Sequence, residues 1–349
     1  MKKTIQMIVI TMTILLFFSV QRLVVPKYAT DIQEGGFIKE YYKETLPHEV
    51  LMVGDCELYE NFSPIVLWEK YGITSYIRGS AQQLPWQSYY LLEEMLQKEK
   101  PKVVIFNVLE LKNNQTKKEE YNRMTLDGMK WSRSKIKAIK TSMLEEESFL
   151  SYVFPIFRYH SRITELKSED FQYFSHEKQH TTAGYFMRVD VAPYEEGIWE
   201  ETEPDSYQFG QKPMEYLDKM RVLCEENNIN FLLVKAPSLS PKWYDEWEKQ
   251  VEDYAKKYNI RYINFLELID TIGIDYTKDT YDEGLHMNLS GAEKCADYLG
   301  NYLKEHYIIE DMRQYKKVKN EWDKKVKFYY ETKEKQEKEL EKYGEIKSY

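Results

Sequence analysis

The sequence predicts an α/β protein of three layers, α/β/α, with a five-stranded parallel sheet in the order 2-1-3-4-5 and a transmembrane helix ahead of it. Three observations predict this. Five apolar runs of strand length alternate with amphipathic stretches of helix length, the pattern of a parallel sheet. The chain of 349 residues is 42% hydrophobic, enough for a sizeable core. It opens with Lys2 and Lys3, followed by a charge-free stretch from Thr4 to Gln21.

That opening stretch, closed by Arg22, spans roughly 27 Å as a helix, close to the hydrocarbon thickness of a bilayer. No small-x-small cleavage site follows it, so residues 1–25 read as an uncleaved signal anchor. The lysines at the short end place that end in the cytoplasm and the rest of the chain outside. The expected location is therefore the cell membrane, single-pass, with an extracytoplasmic domain over 26–308.

Within that domain, Val50–Gly54 is the first strand. Ser63 and Pro64 are the cap and first residue of a helix running to Tyr71. Ile73–Ile77 is the second strand. Pro85–Lys98 carries the helical stripe Trp86, Tyr89, Tyr90, Leu92, Met95 and Leu96, and Pro101 introduces a third strand, Val103–Asn107. Alternation then stops. From about 110 to 210 the chain holds many charges and helical pieces near Ser132–Met143 and Glu147–Phe157, which reads as an insertion over the strand ends. Alternation resumes with helix Pro213–Glu226, strand Ile229–Val234, helix Lys242–Tyr258, strand Ile260–Phe265 and a helix from about Ser290 to His306. The remaining 309–349 form a charged C-terminal helix. Its stripe is Tyr315, Val318, Trp322, Val326 and Tyr329; beyond Glu331 apolar residues thin out and the end reads as a solvated or frayed helix.

Composition narrows the function. A net charge of −9 argues against nucleic acid as a partner. Cys56, Cys224 and Cys295 show no zinc-like spacing, and neither metal nor cofactor is expected. Cys224 and Cys295 lie on helix faces and read as core. His176 and His180 read as loop residues. Arg123, Arg158, Arg162 and Arg188 lie in the insertion, where arginines are commonly paired or solvated but could meet an anionic polymer.

Ligands of open α/β sheets bind at the carboxyl ends of the strands. The first strand ends there in Gly54-Asp55-Cys56, and the last loop brings Asp282 and His286 ahead of a helix. These residues fit a nucleophile, Cys56, a base, His286, and an orienting carboxylate, Asp282, with Glu283 the alternative orienter. An oxyanion hole would draw on the backbone of Cys56 and Gly79 and on the Asn107 amide. Asp55 supports the turn. The competing reading of Cys56 is a small buried residue.

The arrangement resembles the SGNH, or GDSL, hydrolase superfamily, whose core is flavodoxin-like. Gly54-Asp55-Cys56 is similar to its Gly-Asp-Ser block, with cysteine for serine. Gly79 matches the second-block glycine, and Asn107 is similar to the third block's asparagine. Asp282 and His286 resemble its Asp-x-x-His block at a spacing one residue longer, with Glu283 at the usual offset and Asn288 and Gly291 following. The resemblance covers roughly 48–108 and 213–306. With the anchor and the insertion, the chain resembles D-alanyl-lipoteichoic acid transfer proteins and alginate-type O-acetyltransferases. What this implies is an acyltransferase or esterase of bacterial source, working on acyl esters of a cell-envelope polysaccharide or teichoic acid beside a membrane-bound O-acyltransferase. The rival is an inactive fold relative that binds the polymer or that partner; a structural envelope protein is the weakest reading.

Overall fold

The computed structural model describes residues 2–26, 34–116, 118–168, 170–171, 182–199 and 203–347. His176 and His180 lie outside the described residues. The elements, in chain order, are α1 (Lys2–Val24), α2 (Glu34–Glu40), β1 (Val50–Gly54), α3 (Cys56–Asn61), α4 (Pro64–Tyr71), β2 (Ser75–Gly79), α5 (Pro85–Met95) and β3 (Val103–Asn107). The insertion holds α6 (Glu119–Leu126), α7 (Arg133–Ser142), α8 (Phe149–Val153) and α9 (Ile156–Tyr159). Then come α10 (Gln211–Glu226), β4 (Asn230–Lys235), α11 (Asp245–Tyr258), β5 (Arg261–Asn264), α12 (Ile269–Ile272), α13 (Leu289–His306) and α14 (Lys316–Tyr343).

The sheet is parallel throughout and its order is 2-1-3-4-5. β1 is central, paired with β2 on one side and β3 on the other, and all five of its residues are buried. That explains its unbroken apolar sequence, since both faces are covered by helices. α4 packs on α13, and α5 packs on α10, the pairings expected of right-handed crossovers on the two faces. Cys224 and Cys295 are fully buried in the main core.

The second strand starts at Ser75, not Ile73. Gly72 ends α4 in the left-handed conformation, φ 66°, and the Ile73 N–H returns to the Leu67 carbonyl, so Ile73 closes the helix. α14 runs on as a continuous, largely solvated helix through Glu331 to Tyr343, the first of the two readings of that end. Trp322 stacks on Trp68 at 5.2 Å between ring centroids, Tyr329 is fully buried, and Gln336 donates to the Met187 carbonyl. Beyond that, Lys–Glu pairs one turn apart, such as Glu334 with Lys338, support the exposed face.

The insertion has a small core of its own. Leu126, Met129, Ala138, Ile139 and Tyr152 pack against Trp86, Tyr90 and Leu91 of α5. Its last part, from Thr182 onward, runs beside the sheet edge and α3. The Ile77 N–H donates to the Ala183 carbonyl and the Phe186 N–H to the Tyr59 carbonyl. Farther on, the Leu289 N–H donates to the Arg188 carbonyl, so this segment also walls the loop before α13.

Candidate active site

β1 delivers the chain to the carboxyl edge of the sheet, where Asp55 caps α3 and Cys56 is the first helical residue. Cys56 is half-buried. A helix places residues four apart on one side, so Glu60 lies on the same side as Cys56, and it is buried. The first N–H groups of a helix lack intrahelical acceptors, which leaves the start of α3 rich in donors.

The last loop supplies the partner groups. His286 Nδ1 lies 2.7 Å from Asp282 Oδ2, and the His286 backbone N–H donates to Asp282 Oδ1, also at 2.7 Å. Asp282 therefore holds both the ring and the backbone of the histidine. Glu283, the alternative orienter, has a left-handed backbone, φ 62°, and its carbonyl accepts the Trp199 indole N–H. Gly284 follows at φ 92°. These two consecutive positive φ angles turn the chain between Asp282 and His286. Thr280 closes the loop, its Oγ1 donating to the His286 carbonyl and accepting the Gly284 N–H, each at 2.8 Å.

The two halves meet. Cys56 and His286 interact, and Cys56, Glu60 and His286 each bring one ligand-type atom within 4.8 Å of the others. This trio has the donor set to hold a divalent cation; it is assembled from positions too distant in sequence for a spacing motif to show. Glu60 Oε2 lies 3.6 Å from His286 Nδ1. Tyr281 donates its hydroxyl to Glu60, lies nearly parallel to the His286 ring, and carries the Arg188 guanidinium 4.6 Å from its own ring centroid. Asn61 is the brace between the halves. Its Oδ1 accepts the Met287 N–H at 2.7 Å, and its Nδ2 donates to the Ser238 hydroxyl at 3.1 Å.

These surroundings set the charges. Burial alone would lower the His286 pKa, but Glu60, Cys56 and Asp282 more than offset it and hold the imidazole well above its ordinary value. Burial pushes the Cys56 thiol up to about 12, opposed by His286. The proton shared by the pair therefore leaves on the alkaline side.

Around Asp55 and Glu57 lies a second polar layer. Asn107 Nδ2 donates to Asp55 Oδ1 at 2.8 Å and to Glu57 Oε2 at 3.0 Å, and its Oδ1 accepts the Ala236 N–H. The Asn107 amide, read as an oxyanion donor, thus donates here to two carboxylates inside the turn. Lys235, fully buried, pairs with Glu57 at 2.9 Å. Burial, then Glu57 and Glu110, raise the Asp55 carboxyl well above its ordinary value. Gly79 ends β2 level with Gly54, and a Cβ there would sit 2.8 Å from the Gly54 carbonyl oxygen. The glycine permits this close approach. Asn288 caps α13, accepting the Gly291 N–H, and a Cβ on Gly291 would come within 2.5 Å of the Asp279 carbonyl oxygen.

The insertion arginines are paired. Arg123, buried, contacts Glu119, Asp127 and Ser151; Arg158 contacts Glu119; Arg162 contacts Asp170; Arg188 contacts Asp190. Sequence reasoning missed Glu60, Asn61 and Tyr281. The spacing of Cys56 and Glu60 was the available signal, and it is readable only once Cys56–Asn61 is known to be helical.

No family model matches the chain, and no curated protein matches it. Among solved structures it is similar to a chain from Desulfitobacterium hafniense described as a lipolytic protein of the G-D-S-L family, at 15% identity over 72% of this chain and 97% of that one, with a TM-score of 0.34.

Proposed function

We propose that the protein is a membrane-anchored acyltransferase or esterase using a Cys56–His286–Asp282 site outside the cytoplasm. The observation that carries this reading is the assembly of thiol, imidazole and carboxylate, from opposite ends of the domain, at the carboxyl edge of the central strand. The apolar helix Lys2–Val24 supports the anchor.

The Cys56 sulfur attacks the carbonyl carbon of an acyl ester while His286 takes the thiol proton. The oxyanion is met by the backbone N–H groups of Cys56 and Gly79. Collapse breaks the ester C–O bond, and His286 returns the proton to the departing alkoxide, leaving a thioester on Cys56. A hydroxyl of the acceptor, or water, then gives its proton to His286 and its oxygen to the acyl carbon, and the thiol is regenerated. Asp282 holds the imidazole in place throughout. The substrates we assign are acyl esters of a cell-envelope polysaccharide or teichoic acid, handed on beside a membrane-bound O-acyltransferase.

The raised thiol pKa favours a second reading, a binding module without turnover. One experiment separates the two. The full chain in detergent is incubated with a chromogenic acyl ester, and the Cys56 peptide is examined for an acyl adduct by mass spectrometry. The enzyme reading expects an adduct on Cys56 in wild type that is absent in Cys56→Ala and no longer forms in His286→Ala. Undiminished turnover in folded Cys56→Ala would overturn the nucleophile, and no adduct in wild type with any acyl ester would favour the binding module.

A further inference from the structure

α1 is exposed from Lys2 to Phe18, but from Ser19 to Pro26 most of it is half-buried or buried against the domain. The free part is roughly 17 residues, or about 25 Å of helix. A bilayer hydrocarbon core is about 30 Å thick. If α1 spans the membrane, the hydrocarbon therefore reaches the level of the elements that cover its far end.

Those elements belong to the insertion. Phe154 packs on Phe17 of α1 with ring centroids 6.0 Å apart, and Phe157 packs on Phe154 at 5.9 Å. Arg162 donates to the Val24 carbonyl at 2.6 Å, at the helix end. Around this contact the same short elements expose large apolar side chains: Leu150 at 56%, Phe157 at 61% and Ile163 at 56%. A single exposed apolar residue is ordinary, but three on neighbouring short elements, two of which contact α1, are a candidate apolar surface. Arg158 and Arg162, bound to Glu119 and Asp170, lie on the same short elements.

We propose that the face bearing Leu150, Phe157 and Ile163 enters the boundary between headgroups and acyl chains of the leaflet on the domain's side. This gives the domain a second hold on the bilayer besides α1, and it rests on the reading of α1 as a membrane span. The depth required, a few ångströms beyond the covered end of α1, matches that of interfacial amphipathic segments. The site would then be held at a fixed height and tilt above the leaflet, where a lipid-linked polymer or a membrane-embedded donor presents its ester.

The test uses the full chain in phosphatidylcholine–phosphatidylglycerol vesicles. Single nitroxide labels are placed through Leu150→Cys, Phe157→Cys and Ile163→Cys in a Cys56→Ser background; Cys224 and Cys295 are fully buried. Leu15→Cys on α1 and Lys249→Cys, exposed on α11, are the references. Collision with oxygen, which concentrates in lipid, is compared with collision with a water-soluble nickel chelate. The three labels are expected to favour oxygen severalfold, as Leu15→Cys does, while Lys249→Cys favours nickel. If they favour nickel while Leu15→Cys favours oxygen, the anchor stands and the proposal falls. If Leu15→Cys itself favours nickel, the span reading fails and the proposal with it. Shielding of the three labels from both reagents would mean that a protein surface covers the face, which also overturns the proposal.

Discussion

Replacing Glu60 with glutamine removes one negative charge 3.6 Å from His286 Nδ1 while keeping an acceptor for the Tyr281 hydroxyl. At that distance Coulomb's law gives about 1 kcal/mol at the dielectric of water and about 5 kcal/mol at an effective value of about 20. One pH unit corresponds to about 1.4 kcal/mol, so the His286 pKa should fall by about 1 to 3 units. The direction follows from Glu60 being the foremost group that raises it. The assay is NMR titration of the full chain in micelles with labelled histidine, His286 being assigned among the six histidines by its loss in His286→Gln. A Cys56→Ser background removes the co-titrating thiol. Because the folded pKa is raised, the stability it contributes is complete below the ordinary histidine value and is lost as pH rises through the folded value. Glu60→Gln should therefore cost more stability at pH 6 than in alkali. An unchanged or higher His286 pKa would refute the electrostatic account of the site.

Three further outcomes are expected. Asn61→Leu leaves the Met287 N–H and the Ser238 hydroxyl without their partner, so thermal melting should report a loss of about 1–3 kcal/mol per group and alkylation of Cys56 should change rate. Gly79→Ala forces a methyl to within 2.8 Å of the Gly54 carbonyl oxygen and should cost about 1–3 kcal/mol, read as a lower melting temperature. Burial would raise the Glu44 carboxyl, but His48 and Lys325 hold it down at about 2, so its stabilising contribution is present above the ordinary glutamate value and lost as pH falls through about 2. Lys325→Met should move that acid loss to higher pH in melting curves taken across the range.

The sheet was legible because each buried strand is a short apolar run set between helix signals, and the order 2-1-3-4-5 is one of the common doubly wound orders of parallel sheets. The start of β2 was not legible, because Ile73 looks like a strand residue and only the backbone bond to Leu67 assigns it to the helix end. Cys56, Asp282 and His286 could be picked out because strand ends and the loop before a helix are where chemistry collects. Asn107 could be placed at a strand end, but not the direction of its amide, which two carboxylates decide. Glu60 and Asn61 were hidden because the six residues of α3 carry no capping or amphipathic signature long enough to read. The burial of one residue on α14 was hidden for a related reason: Gln336 is polar in sequence, yet a single carbonyl of Met187 makes it a buried contact.

β2 lies at one margin of the sheet, and the segment beginning at Thr182 runs along it. An open sheet margin is a template on which another chain can pair. The Ile77 N–H, which would otherwise face outward, is already taken by Ala183, and Gly184, at φ 84°, lies so close that a Cβ would overlap the Ile77 carbonyl oxygen. The same segment continues into Arg188, whose carbonyl holds the loop before α13. A substitution that lifts this strap should therefore do two things at once: it uncovers a strand edge able to recruit a second molecule into aggregates, and it loosens one wall of the loop that carries His286. For this fold, resistance to aggregation and order at the site depend on one stretch of about ten residues.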